Sequence, residues 1–216
     1  MADMSKFVIL LGGDLILTKR LRQQIEGARV IAADSGMTHA ATLGLLPELW
    51  VGDFDSSSSL LDVAYAHVPR QVFPSAKDAT DGALALHHAL SLGASEIILA
   101  GSFGGQFDHT FAHATLLLHL AQLGVSCIAT SGTEEAHPLL RKLELQGLAV
   151  GTRLSIIGLD DLSGLSISGV RWPLQKRSVA FGSTLTLSNE VAGDVVIQNQ
   201  SGRALVLVYP PADDKP

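Results

Sequence analysis

Three short acidic clusters, each behind an apolar run, carry the residue types that could do chemistry: Gly52-Asp53-Phe54-Asp55-Ser56, Lys77-Asp78-Ala79-Thr80-Asp81 and Gly104-Gly105-Gln106-Phe107-Asp108-His109. Carboxylates gathered at one place repel each other at neutral pH unless a cation joins them. Oxygen-only donors suit a hard divalent ion, so the clusters suggest a magnesium site. Asp53 and Asp55 are two apart, and on extended backbone both would reach one ion, with Phe54 turned inward. A plain polar turn explains the same pair. Asp78 could cap a helix starting near Ala79, with Asp81 in its first turn, or both could face a ligand beside Lys77. The glycines before Asp108 and His109 permit an anion-binding turn at a helix start. That turn lacks both the P-loop and the G-x-G-x-x-G arrangement. Ala33-Asp34-Ser35-Gly36 and Gly12-Gly13-Asp14 read as further strand-to-helix turns. His109 could donate to phosphate or merely satisfy a helix end. His109 and His113 share a helix face, without a third ligand to make a zinc site.

The elements that must position these clusters alternate in α/β fashion. Apolar runs at Phe7 to Leu11, Val30 to Ala33, Leu49 to Val51, Gln71 to Phe73, Ile97 to Ala100 and Val125 to Ala129 predict six parallel strands. Between them, Ala83-Leu84-Leu86-His87-Leu90 and Phe111-Ala112-Leu116-Leu120 follow helical spacing. The carboxyl ends of such strands are where open α/β sheets bind ligands. After Leu143 the grammar changes to short runs at Leu154 to Ile157, Leu165 to Ile167, Thr184 to Leu187, Asp194 to Ile197 and Ala204 to Val208, separated by Gly, Ser, Asp and Asn. These predict an antiparallel β-sandwich or jelly roll. The expected organisation is a Rossmann-like α/β domain over residues 1–142, mostly parallel and flanked by helices, then a β-sandwich over 143–216.

With 47% hydrophobic and 17% charged residues in a chain of 216, a large core is affordable and disorder is excluded. A formal charge of −6 argues against broad nucleic-acid binding. The single cysteine, Cys127, forms no internal disulfide, and no apolar run approaches the ~20 residues of a membrane-spanning helix. The N-terminus enters Phe7 to Leu11 without a cationic leader. A cytoplasmic protein is expected.

In order and spacing, ADSG (33–36), GDFDS (52–56), KDATD (77–81), GGQFDH (104–109) and LSNE (187–190) resemble the thiamin pyrophosphokinase family over nearly the whole chain. The resemblance implies Mg²⁺-dependent transfer of a diphosphate from ATP to the thiamin hydroxyl, giving thiamin diphosphate and AMP. It also implies a homodimer with thiamin sites between subunits. Carried across, the metal and catalytic acids fall on Asp53, Asp55, Asp81 and Asp108. Nucleotide contacts fall on Asp34, Ser35, Gly36, Lys77, Asp78, Gly104, Gly105, Gln106 and His109, and thiamin contacts on Thr186, Ser188 and Asn189. Thr186 would share a strand face with Ser188 if that run is extended. Trp172, in the GVRWPL segment, could stack on a cationic ring or pack at a domain or subunit contact, whereas Trp50 reads as core. Gln106 stands where the family commonly has arginine, so nucleotide choice could differ. Other readings are a different magnesium-dependent phosphoryl or nucleotidyl transferase and a noncatalytic thiamin or nucleotide sensor.

Overall fold

The computed structural model describes residues 5–54, 59–73 and 79–211. Asp55, Lys77 and Asp78 lie outside the described residues. Two compact units divide the chain, Met1–His113 with Val125–Gly132 and Ala114–Gly124 with Thr133–Pro216.

In the first unit, β1 (Ser5–Leu10), β2 (Arg29–Ala33), β3 (Leu49–Gly52), β4 (Arg70–Val72), β5 (Ala94–Ala100) and β6 (Ser126–Thr130) pair in the order β4-β3-β2-β1-β5-β6, every neighbour parallel. The six predicted strands are all present. Apart from the exposed edge strand β4, they were legible because a strand covered on both faces reads as an apolar run. Phe7, Val8, Ile9 and Leu10 are all fully buried. Val8 and Leu10 meet Leu21 and Ile25 of α1 (Lys19–Ile25) and Ala40 and Leu43 of α2 (Thr38–Leu43), together with Trp50 and Met37. Helix α4 (Asp81–Ser91) packs on β1, β2, β3 and β5.

Helix α4 buries Gly82, Ala85, Leu86 and Ala89 and leaves His87 exposed, so its inner face is rotated from the one the leucine spacing predicts. Small residues allow close approach to the sheet, which decides the facing side. In α5 (Phe107–Gln122) the buried residues are Leu117, Leu118 and Leu120, whereas Phe111 is half exposed and stacks on exposed Phe107, with ring centroids 6.0 Å apart. A short helix, α3 (Ser59–Ala64), precedes β4.

The sheet reverses its winding at β1, which has β2 on one side and β5 on the other. Connections leave the carboxyl ends of these neighbours in opposite directions and open a crevice there. The turns after β1, β2, β3 and β5 border this crevice.

The second unit is antiparallel. Strand β13 (Ala204–Tyr209) pairs β7 (Glu135–Leu139) and β9 (Arg153–Gly158); β12 (Asn189–Gln198) pairs β9 through Asn189 and Glu190. The remainder of β12 pairs β10 (Leu162–Val170) and β8 (Lys142–Leu145), and β10 pairs β11 (Leu174–Val179). Leu139, Leu154, Ile156, Leu165, Ile167, Val195, Ile197, Val206 and Val208 form its core.

Thr184 to Leu187, predicted as a strand, is a turn segment instead. The Thr186 hydroxyl donates to the Ile156 carbonyl of β9 at 2.6 Å, and Leu187 N–H closes back on the Thr184 carbonyl at 3.2 Å. Leu185 and Leu187 remain exposed, so the alternation has no apolar face to bury. Strands β7, β8 and β11 escaped sequence reading: β7 contains Pro138, while β8 and β11 are largely polar and exposed.

Candidate functional site

A cavity of about 600 Å³ occupies the crevice beyond β1 and β5, within the size range of small-ligand sites. Its walls come from the four turns and from the first turns of α4 and α5. Asp34, Ser35, Asp53, Asp81, Gly104, Gly105, Gln106 and His109 all line it, and with Leu11 and His113 also in the wall, residues 102 positions apart in sequence (113 − 11) share one chamber.

The turn after β1 comes very close to the turn after β5. Gly13 N–H donates to the Gly101 carbonyl at 2.9 Å, and a side chain at Gly13 would run into the Phe103 and Gly101 carbonyls. Glycine is therefore required by contact at this position. Asp34 opens a 3₁₀ turn (Asp34–Met37) with φ 45°, a left-handed conformation that aspartate tolerates better than most residues. The Trp50 indole N–H fixes it by donating to the Asp34 carbonyl at 2.9 Å. Gly36 does not line the cavity: it is buried, and a side chain there would strike the Leu10 carbonyl of β1.

Asp53 follows β3, half-buried at the cavity wall. Phe54 has φ 59°, so the backbone leaves the extended conformation at this residue, while Asp55 lies outside the described residues. Phe54 does turn inward, edge-on to Trp50 at 5.0 Å. In the second cluster the helix cap is Thr80: its Oγ1 accepts from Ala83 N–H at 3.2 Å, which puts Asp81 first in α4. The positive end of this eleven-residue helix thus faces the cavity through Thr80, Asp81 and Gly82.

Asp108 is set apart. It is exposed, does not line the cavity, and its Oδ1 accepts the N–H of His109 at 2.9 Å at the start of α5. Among the described residues no three His, Cys, Asp or Glu side chains form a group able to hold a metal by themselves.

The spacing did not single out His113 as a wall of this cavity. Its Nδ1 lies 3.4 Å from the Ser102 carbonyl, an acceptor only, so Nδ1 carries the proton. Burial pushes the imidazole below its ordinary value; the Ser102 carbonyl opposes this, and nearby His109 adds to the lowering. Helical spacing from His109 was the available signal, since residues four apart share a helix face.

In the second unit Ser188 is exposed with φ 58°, and its N–H donates to Ser155 Oγ at 3.0 Å. It borders a shallow pocket of about 640 Å³ with Arg153, Glu190 and Tyr209. Thr186 is buried, so it does not share an extended strand face with Ser188. Asn189 is buried as well. Its Oδ1 accepts from Trp172 N–H at 3.1 Å and Glu190 N–H at 2.9 Å, and its Nδ2 donates to the Trp172 carbonyl at 2.8 Å. These bonds pin the Arg171-Trp172 turn, leaving the Trp172 ring half exposed under the Arg171 guanidinium, 4.7 Å from its centroid.

Two family models match the chain in series: the thiamin pyrophosphokinase catalytic domain over residues 21–129 and the thiamin pyrophosphokinase vitamin B1 binding domain over residues 142–203. A curated thiamine pyrophosphokinase from Bacillus subtilis (strain 168) is 27% identical over 166 residues, 74% of this chain and 77% of the relative. The crystal structure of thiamine pyrophosphokinase from Bacillus subtilis superposes with a TM-score of 0.84 at 23% identity, covering 95% of this chain and 99% of that one. Yeast thiamin pyrophosphokinase gives 0.78 at 16% identity, with 99% of this chain and 88% of that one covered. These structures share the mixed α/β fold, with a large parallel sheet first and antiparallel strands later.

Proposed function

Since the chain belongs to the thiamin pyrophosphokinase family, we propose that it transfers the diphosphate of ATP to the hydroxyethyl oxygen of thiamin. The thiamin oxygen attacks the β-phosphorus, the bond from that phosphorus to the oxygen of the α-phosphate breaks, and thiamin diphosphate and AMP result. The observation that carries this reading is the cavity at the sheet reversal, where acidic side chains, a glycine turn and a helix N-terminus meet.

The two kinds of wall suit a nucleotide triphosphate bound with a cation. Backbone N–H groups at Gly104 and Gly105 and the positive end of α4 favour phosphate oxygens. Asp53 and Asp81 would hold Mg²⁺, with Asp34 elsewhere in the wall of the same cavity. Magnesium is usually held by one or two carboxylates plus substrate phosphates rather than by an all-protein cage, so two side chains suffice. Bound there, the ion would neutralise charge on the transferring group. Asp55 and Asp108 complete the proposed acidic set, Lys77, Asp78, Gln106 and His109 the phosphate side, and Ser35 and Gly36 the turn behind Asp34. Gly36 would act by keeping that turn against β1.

We assign residues 1–142 to catalysis and 143–216, read as a jelly-roll-like sandwich, to thiamin binding through Ser188 and its neighbours. Thr186 and Asn189 would shape that surface through their internal bonds. A homodimer with thiamin between subunits is supported by the exposed apolar side chains of the same unit, Trp172, Phe181, Leu185 and Leu187.

Purified protein incubated with thiamin, ATP and Mg²⁺ tests the activity. Thiamin diphosphate and AMP in equal amounts are expected. ADP would indicate ordinary phosphoryl transfer, and binding without products a sensor; either refutes the proposal. Asp53→Asn should suppress turnover while leaving the melting temperature near that of the parent.

A further inference from the structure

The glycine turn after β5 is held from behind at four consecutive carbonyls. Gly101 O accepts from Gly13 N–H at 2.9 Å, Ser102 O from His113 Nδ1–H at 3.4 Å, Phe103 O from Asp14 N–H at 2.7 Å and Gly104 O from the Thr110 hydroxyl at 3.3 Å. In a planar trans peptide the N–H points opposite to the C=O. Fixing the Phe103 and Gly104 carbonyls toward the protein therefore turns the N–H groups of Gly104 and Gly105 the other way. Neither N–H has a hydrogen-bond partner among the described residues, and both glycines line the cavity with φ 80° and 65°.

Two of the four anchors are side chains three residues apart on α5, Thr110 and His113. We propose that Thr110 and His113 are positioning residues that hold the Gly101–Gly105 turn with its N–H groups presented to the triphosphate of ATP. The proposal rests on the nucleotide reading of the cavity. Asp14 and Gly13 anchor the turn through backbone N–H groups that only proline would remove, so the two α5 side chains are the adjustable part. A preformed turn spends no ligand binding energy on ordering itself. Burial favours the neutral ring of His113, and the Ser102 carbonyl, an acceptor only, requires a proton on Nδ1.

The test compares Thr110→Val, Thr110→Ser and His113→Phe with the parent protein. Inorganic tripolyphosphate, titrated calorimetrically in the presence of Mg²⁺, reports the turn without turnover. Loss of one neutral hydrogen bond corresponds to weakening of roughly 2- to 10-fold, expected for Thr110→Val and His113→Phe, with Thr110→Ser restored to near the parent. In the thiamin diphosphate assay the KM for ATP should rise by a similar factor, more than kcat falls, while the KM for thiamin stays put. Unchanged tripolyphosphate binding in both variants overturns the proposal. So does equal weakening in Thr110→Ser and Thr110→Val, which would mark a packing effect. If the parent protein binds tripolyphosphate and makes no thiamin diphosphate, the activity is wrong, and the variants' binding still decides the role of the turn.

Discussion

Trp50→Phe should be among the more damaging conservative substitutions in the first unit. Trp50 is 1% exposed, donates its indole N–H to the Asp34 carbonyl at 2.9 Å, meets Phe54 edge-on and carries the Arg70 guanidinium 4.5 Å above its ring. Phenylalanine keeps one ring and the Phe54 contact. It forfeits the hydrogen bond, about 1 kcal/mol, and weakens the cation–π contact, about 0.5 kcal/mol. It also opens a void where the pyrrole ring sat, costing about 1–2 kcal/mol. The sum is about 2–4 kcal/mol, and Asp34 loses the bond that holds its left-handed turn at the cavity wall. Urea unfolding followed by far-ultraviolet circular dichroism measures the loss, with Trp172→Phe as control because that ring is 51% exposed. The control should stay within about 0.5 kcal/mol of the parent. A Trp50 variant as stable as the control would refute the assignment of this indole as the support for the Asp34 turn.

Gly36→Ala forces a Cβ onto the Leu10 carbonyl and the Leu11 nitrogen, backbone atoms with no rotamer to escape into, and a loss of about 1–3 kcal/mol is expected in the same urea assay; an unchanged midpoint would contradict it. Asn189→Ala strips the buried partners from both backbone groups of Trp172 and should cost about 1–3 kcal/mol, with a shift in Trp172 fluorescence; neither change would mean the turn is held by something else. Hydrogen bonds from Arg203 pull the Asp160 carboxyl down to about 2 from 3.8. The pair's contribution is thus present above the unfolded carboxylate value and lost as pH falls through about 2. An NMR titration should place the Asp160 midpoint there and find it returned to the usual carboxylate range in Arg203→Gln; a midpoint already in that range in the parent would contradict the pairing.

The parallel sheet was legible because strands such as Phe7 to Leu10 are buried on both faces and leave unbroken apolar runs, and the cavity was legible because acids and glycines recur directly after those runs. What sequence could not supply was direction. Asp108 belongs to the acidic pattern, yet its carboxylate folds back on the His109 N–H because a helix start offers unpaired donors close by. Phe54 takes a positive φ, 59°, that no spacing rule anticipates. Thr184 to Leu187 alternates like a strand, but Thr186 spends its hydroxyl on β9 and the leucines find nothing to cover them. His113 entered the cavity because the Ser102 carbonyl captures its ring, a partner eleven residues away that helical periodicity alone does not reveal.

The central claim is that the cavity passes the β- and γ-phosphates of ATP together to an alcohol, and ATP radiolabelled at the β-phosphorus, supplied with thiamin and Mg²⁺, tests it most directly. The account predicts that the label moves into thiamin diphosphate while AMP forms unlabelled. Label remaining in ADP, or released as free phosphate without reaching thiamin, would contradict it.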